Sequence, residues 1–479
     1  MPDLRRDVDA CLMPSLPDTT LRPELAEWMA GGLGAVILFG ANIRDRDQVG
    51  ELAAQMRQHA PDLLIGVDEE SGDVTRMERT TGSSYPGAQA LGAVDDVALT
   101  ERVGESLADL LAGAGINLNF APVADVNSNA ANPVIGSRSF GSDPQLVARH
   151  VAAMVAGLQS WQVASCAKHF PGHGAAAADS HTELPVIDRP ADALAAVDLA
   201  PFRAAIEAGI KAVMSAHVVY PVWDPDAPAT TSARVLTELL RGELGFTGVV
   251  VTDALHMSAI RNRIGVPEGA VRALAAGADL LCISVDWDEQ QRVRAAVLDA
   301  VGSGRLPEQR VRESAARVRA LQQWAKARPR SDWTAEVGVL AARRALLVDA
   351  VAPRATPYVV DAGIRVRPGV GVASGSLLDE LSEMDDRVRG VVLTEAPADP
   401  FAAVDAAGDA PLVVVVRDAQ QYPWQQELIA AGLKRPQCTV VSTGMTHDHV
   451  YAPGHYVAAQ GCGRANLHAA AEFLLGRVQ

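Results

Sequence analysis

The sequence predicts an α/β chain: an N-terminal TIM-type (β/α)8 barrel followed by a smaller C-terminal three-layer α/β domain. Three observations carry this expectation. Eight short apolar runs alternate with Ala-, Leu-, Arg- and Glu-rich stretches of helical spacing across the first part of the chain. Five successive runs end on ionisable residues. A second series of apolar runs begins near residue 340. Continuous apolar strands alternating with helices are the mark of a parallel sheet covered on both faces. Eight such units fit a closed barrel better than an open doubly wound sheet.

The runs, in order, are ACLMPSL from Ala10, AVILFG from Ala35, LLIGVD from Leu63 and INLNFAPV from Ile116. VASCAKHF from Val163, KAVMSAHV from Lys211, GVVVTDAL from Gly248 and ADLLCIS from Ala278 complete the eight. The first is interrupted by Pro14 and Pro17. Asp68 closes the third run and Asp125 follows the fourth; Lys168 and His169 close the fifth, His217 the sixth and Asp253 the seventh. In such barrels, polar residues at the carboxyl ends of strands converge on one mouth, where active sites lie. The reading assigns residues 1–330 to the barrel, 331–340 to a linker and 341–479 to the second domain. In that second domain PYVVDAG, VRGVVLTE, APLVVVVRD and CTVVSTG read as buried strands. It contains neither a G-x-G-x-x-G fingerprint nor a phosphate-binding P-loop, so no nucleotide site is expected.

Composition narrows the function. Of 479 residues, 48% are apolar and 21% charged, enough to bury a core. Lys plus Arg is 42 and Asp plus Glu is 58, giving a net charge of −16. That sign argues against nucleic acid and against an anionic membrane surface as partners. Five scattered cysteines, with no C-x-x-C pair, make neither a disulfide framework nor a zinc cluster. No uncharged apolar run approaches the ~18 residues that span a bilayer, and acids interrupt the first residues where a secretory leader needs an apolar stretch. A cytoplasmic location is expected.

Chemistry concentrates in KHFPGHGAAAADSHTELP, Lys168 to Pro185, and five of the 11 histidines lie between His169 and His256. His169 and His173 have i, i+4 spacing, but Pro171 and Gly172 break the helix that would align them as metal ligands. No metal and no cofactor are expected. Asp179-Ser180-His181 instead places a carboxylate two residues from an imidazole. Such a partner holds the ring in one tautomer and leaves its other nitrogen for proton transfer. The same triplet is also good helix-capping sequence.

KHFPGHG followed by DSH resembles the hallmark loop of the glycoside hydrolase family 3 β-N-acetylglucosaminidases. VVVTDALHM from Val249, GVDEESGDVTRME from Gly66, GSRSFGSDP from Gly136 and MSAHVVYP from Met214 are similar to further family motifs, in the family's order. The resemblance covers about the first 330 residues. It implies that Asp253 is the nucleophile and that His181, paired with Asp179, is the acid/base. It also implies that Asp68, Arg76, Arg138, Lys168 and His169 bind the terminal sugar, with His217 in the same mouth. The chain departs from the family pattern at Ala175-Ala176, at Ala254, at Asp73 in place of an Arg and at Ser71 in place of a Gly. The activity implied is a retaining exo-β-N-acetylhexosaminidase acting on oligosaccharides that contain N-acetylglucosamine. A phosphorylase on the same scaffold is the alternative, since an imidazole repels phosphate less than a carboxylate does. A non-catalytic sugar-binding protein is a third reading, but it has no need for both Asp253 and the Asp179–His181 pair.

Overall fold

The computed structural model describes residues 2–178, 183–327, 335–363 and 375–477. They form two compact units. The first comprises Met1–Glu69, Thr100–Ile135 and Gly141–Trp333; the second comprises Glu70–Leu99, Gly136–Phe140 and Thr334–Gln479.

The first unit is built on eight parallel strands: β1 (Leu12–Met13), β2 (Ala35–Leu38), β3 (Leu64–Val67), β4 (Leu118–Asn119), β5 (Ala164–Phe170), β6 (Ala212–Ser215), β7 (Val249–Thr252) and β8 (Leu281–Cys282). All eight apolar runs of the sequence become strands. β2 to β7 form one sheet in chain order. β8 pairs with β1, Leu12 opposite Leu281, and single bridges from Ser15 to Ile37 and from Val251 to Leu280 tie that pair to β2 and β7. Pro14 ends β1 after two residues, because a proline has no amide for the ladder.

Alternate strand residues fill the barrel interior. Ile37, Leu64, Leu118, Phe120, Cys166, Met214, Val249, Val251 and Cys282 form one buried cluster with Val318, Leu321 and Ala325. A Cβ on Gly66 would stand 2.9 Å from the Phe120 ring, so the glycine makes room for it. Val318 and Leu321 come from the helix Glu308–Trp324. Around them Gln322 donates to the Gly34 carbonyl at 2.8 Å and Asn117 to the Ala325 carbonyl at 3.1 Å. These residues stand at or before the amino ends of their strands, so packing closes that end, and the carboxyl end carries the polar side chains Asp68, Asp125, Lys168, His169, His217 and Asp253.

Helix starts are written in the sequence. Asp45 caps Arg46–His59, accepting from the Gln48 amide at 2.8 Å. Asp143 caps Pro144–Gln159 through two amides, with Pro144 in the first turn. Asp286 caps Trp287–Gly302 through the Glu289 amide. Each aspartate satisfies donors that the first helical turn leaves without a partner.

The second unit holds a six-stranded sheet: β9 (Leu347–Asp349), β10 (Tyr358–Asp361), β11 (Arg389–Val392), β12 (Leu412–Val416), β13 (Cys438–Ser442) and β14 (Tyr456–Ala458). The spatial order is β9-β14-β13-β12-β10-β11. β9 runs antiparallel and the rest are parallel. The five parallel strands therefore follow the doubly wound order 2-1-3-4-5. Val413 and Val415 face one core with Leu381, Leu467 and Leu474; Val414 and Val416 face the other with Leu428 and Ile429. Such two-sided burial explains the unbroken valine run LVVVV. Among the described residues, no helix is long and apolar enough to cross a membrane.

Candidate active site

The carboxyl ends of β3 to β7 carry the polar residues of the first unit's mouth. Lys168, near the end of β5 and 2% exposed, places its Nζ 2.7 Å from Asp68 Oδ1, beyond β3. A buried ammonium needs such a partner, and the pair fixes both side chains across two strands. His169 follows. Its Nδ1 lies 2.7 Å from Oδ2 of the buried Asp125, while Oδ1 of Asp125 accepts the His173 amide at 2.6 Å and the His169 amide at 3.2 Å. A carboxylate beside Nδ1 favours the ring tautomer that carries its hydrogen there.

His217, buried beyond β6, is held at both nitrogens. Nδ1 lies 2.8 Å from the Thr230 hydroxyl and Nε2 lies 3.1 Å from the Ala254 carbonyl. Asp253 begins the turn after β7 and is half-buried. Its amide donates to Ser215 at 3.3 Å, the Leu255 amide donates to Cys282 at 3.0 Å, and Oδ1 accepts the Ala254 amide at 2.7 Å. The turn that bears the carboxylate is thus held by backbone on β6 and β8. Position 254, where the chain departs from the family pattern, contributes through backbone atoms that need no acidic side chain.

Charge unites these groups. Burial drives the Cys166 thiol upward inside the barrel, Lys168 pulls it back, and Asp68 and Asp253 push it further. Burial, then the neighbouring His169, pull His173 down to about 4, so it is neutral near pH 7. Burial and Arg261 lower His256, against the opposing charge of Asp253. Among the described residues, no three His, Cys, Asp or Glu side chains are grouped to hold a metal ion.

Arg76 and Arg138 lie in the second unit. Both are buried. Arg138 ends the turn Gly136–Arg138 and forks onto Glu70, Nε and Nη2 each 2.8 Å from a carboxylate oxygen. The neighbouring Ser137 hydroxyl donates to Asp73 at 2.5 Å. Asp73 also takes Arg417 Nη2 at 2.5 Å and the Cys462 amide at 2.8 Å. Burial alone would raise the Asp73 carboxyl, but Arg417, then the Cys462 amide and Ser137, hold it well below the usual carboxylate range.

Asp179 and His181 lie outside the described residues. The structure joins Asp68 to Lys168 and places His169, His217 and Asp253 on strand ends of one barrel. Asp125, Glu70 and Asp73 are partners that sequence reading did not count among the site residues. Asp125 is singled out by the sequence at a strand end without a role, and Glu70 lies two residues after Asp68, where position alone could have flagged it.

Residues 9–321 match the model of the glycosyl hydrolase family 3 N terminal domain. A beta-hexosaminidase of Stenotrophomonas maltophilia (strain K279a) is 39% identical over 312 residues, covering 62% of this chain and 92% of that protein. Beta-hexosaminidase A of Pseudoalteromonas piscicida is 35% identical over 333 residues, 64% of this chain; the match spans 56% of that longer protein. Among solved structures, a family 3 beta-N-acetylglucosaminidase from Paenibacillus sp. str. FPU-7 superposes with a TM-score of 0.91 at 34% identity, over 99% of this chain and 97% of that one. With well over half its length matched by the family's own domain, this chain is a glycosidase that belongs to glycosyl hydrolase family 3.

Proposed function

We propose that the chain is a retaining exo-β-N-acetylhexosaminidase that releases terminal N-acetylglucosamine from chitin or cell-wall oligosaccharides in the cytoplasm. Asp253 attacks the anomeric carbon and forms a glycosyl ester. His181, oriented by Asp179, protonates the leaving oxygen and then takes a proton from the water that hydrolyses the ester. Lys168, Asp68 and His169 bind hydroxyl groups of the terminal sugar. His217 shapes the mouth beside the nucleophile, and Arg76 and Arg138 take the sugar-binding roles that the family resemblance implies.

The observation that carries this reading is the barrel mouth, where the half-exposed Asp253 in the turn after β7 and the Lys168–Asp68 pair act on the same buried Cys166 thiol, and the imidazole of His169 is paired with Asp125 at the end of β5. The relatives' names support the 2-acetamido sugar. The test is a panel of 4-nitrophenyl β-glycosides with and without that group, each run with and without inorganic phosphate. Release of free N-acetylglucosamine, independent of phosphate, is expected. A phosphate requirement with a sugar 1-phosphate product would convert the reading to a phosphorylase, and indifference to the acetamido group would overturn the substrate assignment.

A further inference from the structure

The carboxyl edge of the second unit's sheet is occupied by a segment of this same chain. In doubly wound sheets, ligands bind in the crevice outside the carboxyl ends of the strands. Arg417 stands directly after β12, and Gln460 to Gly463 follow β14. What meets them is Asp73. Oδ2 takes Arg417 Nη2 at 2.5 Å, and Oδ1 takes the Cys462 amide at 2.8 Å and its Sγ at 3.2 Å.

The backbone comes equally close. Gly72 adopts φ +57, and a Cβ on it would stand 2.5 Å from Gly87. A Cβ on Gly463 would stand 2.9 Å from the Gly72 Cα. Neighbouring residues dock on the same unit: Gln89 donates to the Gly444 carbonyl at 3.2 Å and to Gln460 at 2.8 Å, and the Ala465 amide donates to the Ser83 carbonyl at 3.1 Å.

Asp73 is therefore a three-way junction. It joins the segment 70–76, the turn Gly136–Arg138 and the ends of β12 and β14. Arg76 lies three residues after it, Glu70 three residues before it, and Arg138 next to the Ser137 that bonds it. A buried ion pair is weak evidence for stability, because desolvation offsets the attraction. A junction that ties two arginine-bearing segments to a rigid sheet is better explained by geometry, since small displacements of binding groups cost large factors in rate.

We propose that Asp73 and Arg417 are positioning residues for sugar binding, and that the second unit serves to hold the segments bearing Arg76 and the Glu70–Arg138 fork. The inference rests on reading Arg76 and Arg138 as sugar-binding groups. It gives the exchange of the family's Arg for Asp73 a reason: the cation now comes from Arg417, 344 residues along the chain.

The test uses the full chain carrying Asp73→Asn together with Arg417→Met, which removes both charges and leaves neither buried alone. Arg417→Lys serves as the milder variant should the double fail to fold. Hydrogen exchange read by mass spectrometry should show peptides spanning 70–78 and 134–140 exchanging about tenfold faster or more, with the strands of the sheet unchanged. KM for a 4-nitrophenyl N-acetyl-β-glucosaminide should rise about tenfold with a much smaller change in kcat, and Arg417→Lys should fall between. Wild-type exchange in both segments of a folded variant would overturn the proposal, as would an unchanged KM. If the wild-type enzyme fails to cleave this glycoside, the hexosaminidase reading fails while the exchange result still decides the positioning role.

Discussion

Replacing Asp125 by Asn keeps the shape of the residue but removes its charge and turns one acceptor oxygen into an NH2 donor. In the wild-type protein Oδ1 accepts two amides, of His169 and His173, and Oδ2 faces Nδ1 of His169. An asparagine oxygen can keep the amides, which turns its NH2 towards Nδ1. Two donors then face each other unless the ring moves its hydrogen to Nε2. Nε2, proposed to accept from the sugar, then offers a hydrogen in place of a lone pair. The lost charge-assisted bond is worth about 1.5 to 3 kcal/mol, and at about 1.4 kcal/mol per tenfold this is a loss of roughly one to two orders of magnitude in kcat/KM. The assay is kcat/KM on a 4-nitrophenyl N-acetyl-β-glucosaminide, with melting temperature measured alongside. Because Asp125 acts through His169, the Asp125→Asn/His169→Ala double variant should be no worse than His169→Ala alone. A single variant that keeps more than half of wild-type kcat/KM, or losses that add in the double, would refute this account of the pair.

Two further outcomes are expected. Asp198 is fully buried, its carboxyl oxygens have no hydrogen-bond partner among the described residues, and its nearest cation, Arg189, lies 4.0 Å away. Burial raises it from 3.8 to about 7. The folded state therefore holds a proton that the unfolded chain has released, and stability falls as pH rises from about 4 to about 7. Asp198→Asn should thus gain up to about 4 kcal/mol of stability at pH 8 relative to its effect at pH 4. A denaturant midpoint shift that is the same at both pH values would contradict this. His181→Ala should lose roughly 10² to 10⁴ in rate on chitobiose-like substrates, far less in the glycosylation step of nitrophenyl glycosides, and recover in part with azide. Equal losses on both leaving groups, with no azide effect, would make His181 a binding residue.

The barrel was legible because buried parallel strands leave continuous apolar runs, and the strand ends drew attention because active sites of such barrels lie there. That rule singled out Asp68, Asp125, Lys168, His169, His217 and Asp253, each of which stands at or just beyond a strand end. The second unit's recruitment of residues 70–99 and 136–140 was not legible. It depends on Asp73 meeting Arg417 and Cys462, contacts between residues more than 300 positions apart, for which no local pattern exists. Position 73 was noticed as a departure from the family's arginine, but a lone exchange does not name its partner. The segment Asp224–Pro228 pairs antiparallel with Val219–Tyr220 although its two aspartates and two prolines disfavour a strand, and Asp224 accepts the Ser232 hydroxyl at 2.6 Å.

The central claim is that Asp253 forms a covalent bond to the sugar. A 2-acetamido-2-deoxy-5-fluoro-β-glucosyl fluoride slows both steps but leaves a good leaving group, so a true nucleophile accumulates as its glycosyl ester. Digestion of the inactivated enzyme and mass spectrometry of the peptides then locates the label. One sugar per chain is expected, on Asp253, with Asp253→Ala unlabelled and inactive. A label on another carboxylate would move the nucleophile. Rapid turnover with no label, together with tight inhibition by a thiazoline analogue of the cyclised acetamido group, would show that the substrate's own acetamido oxygen attacks instead.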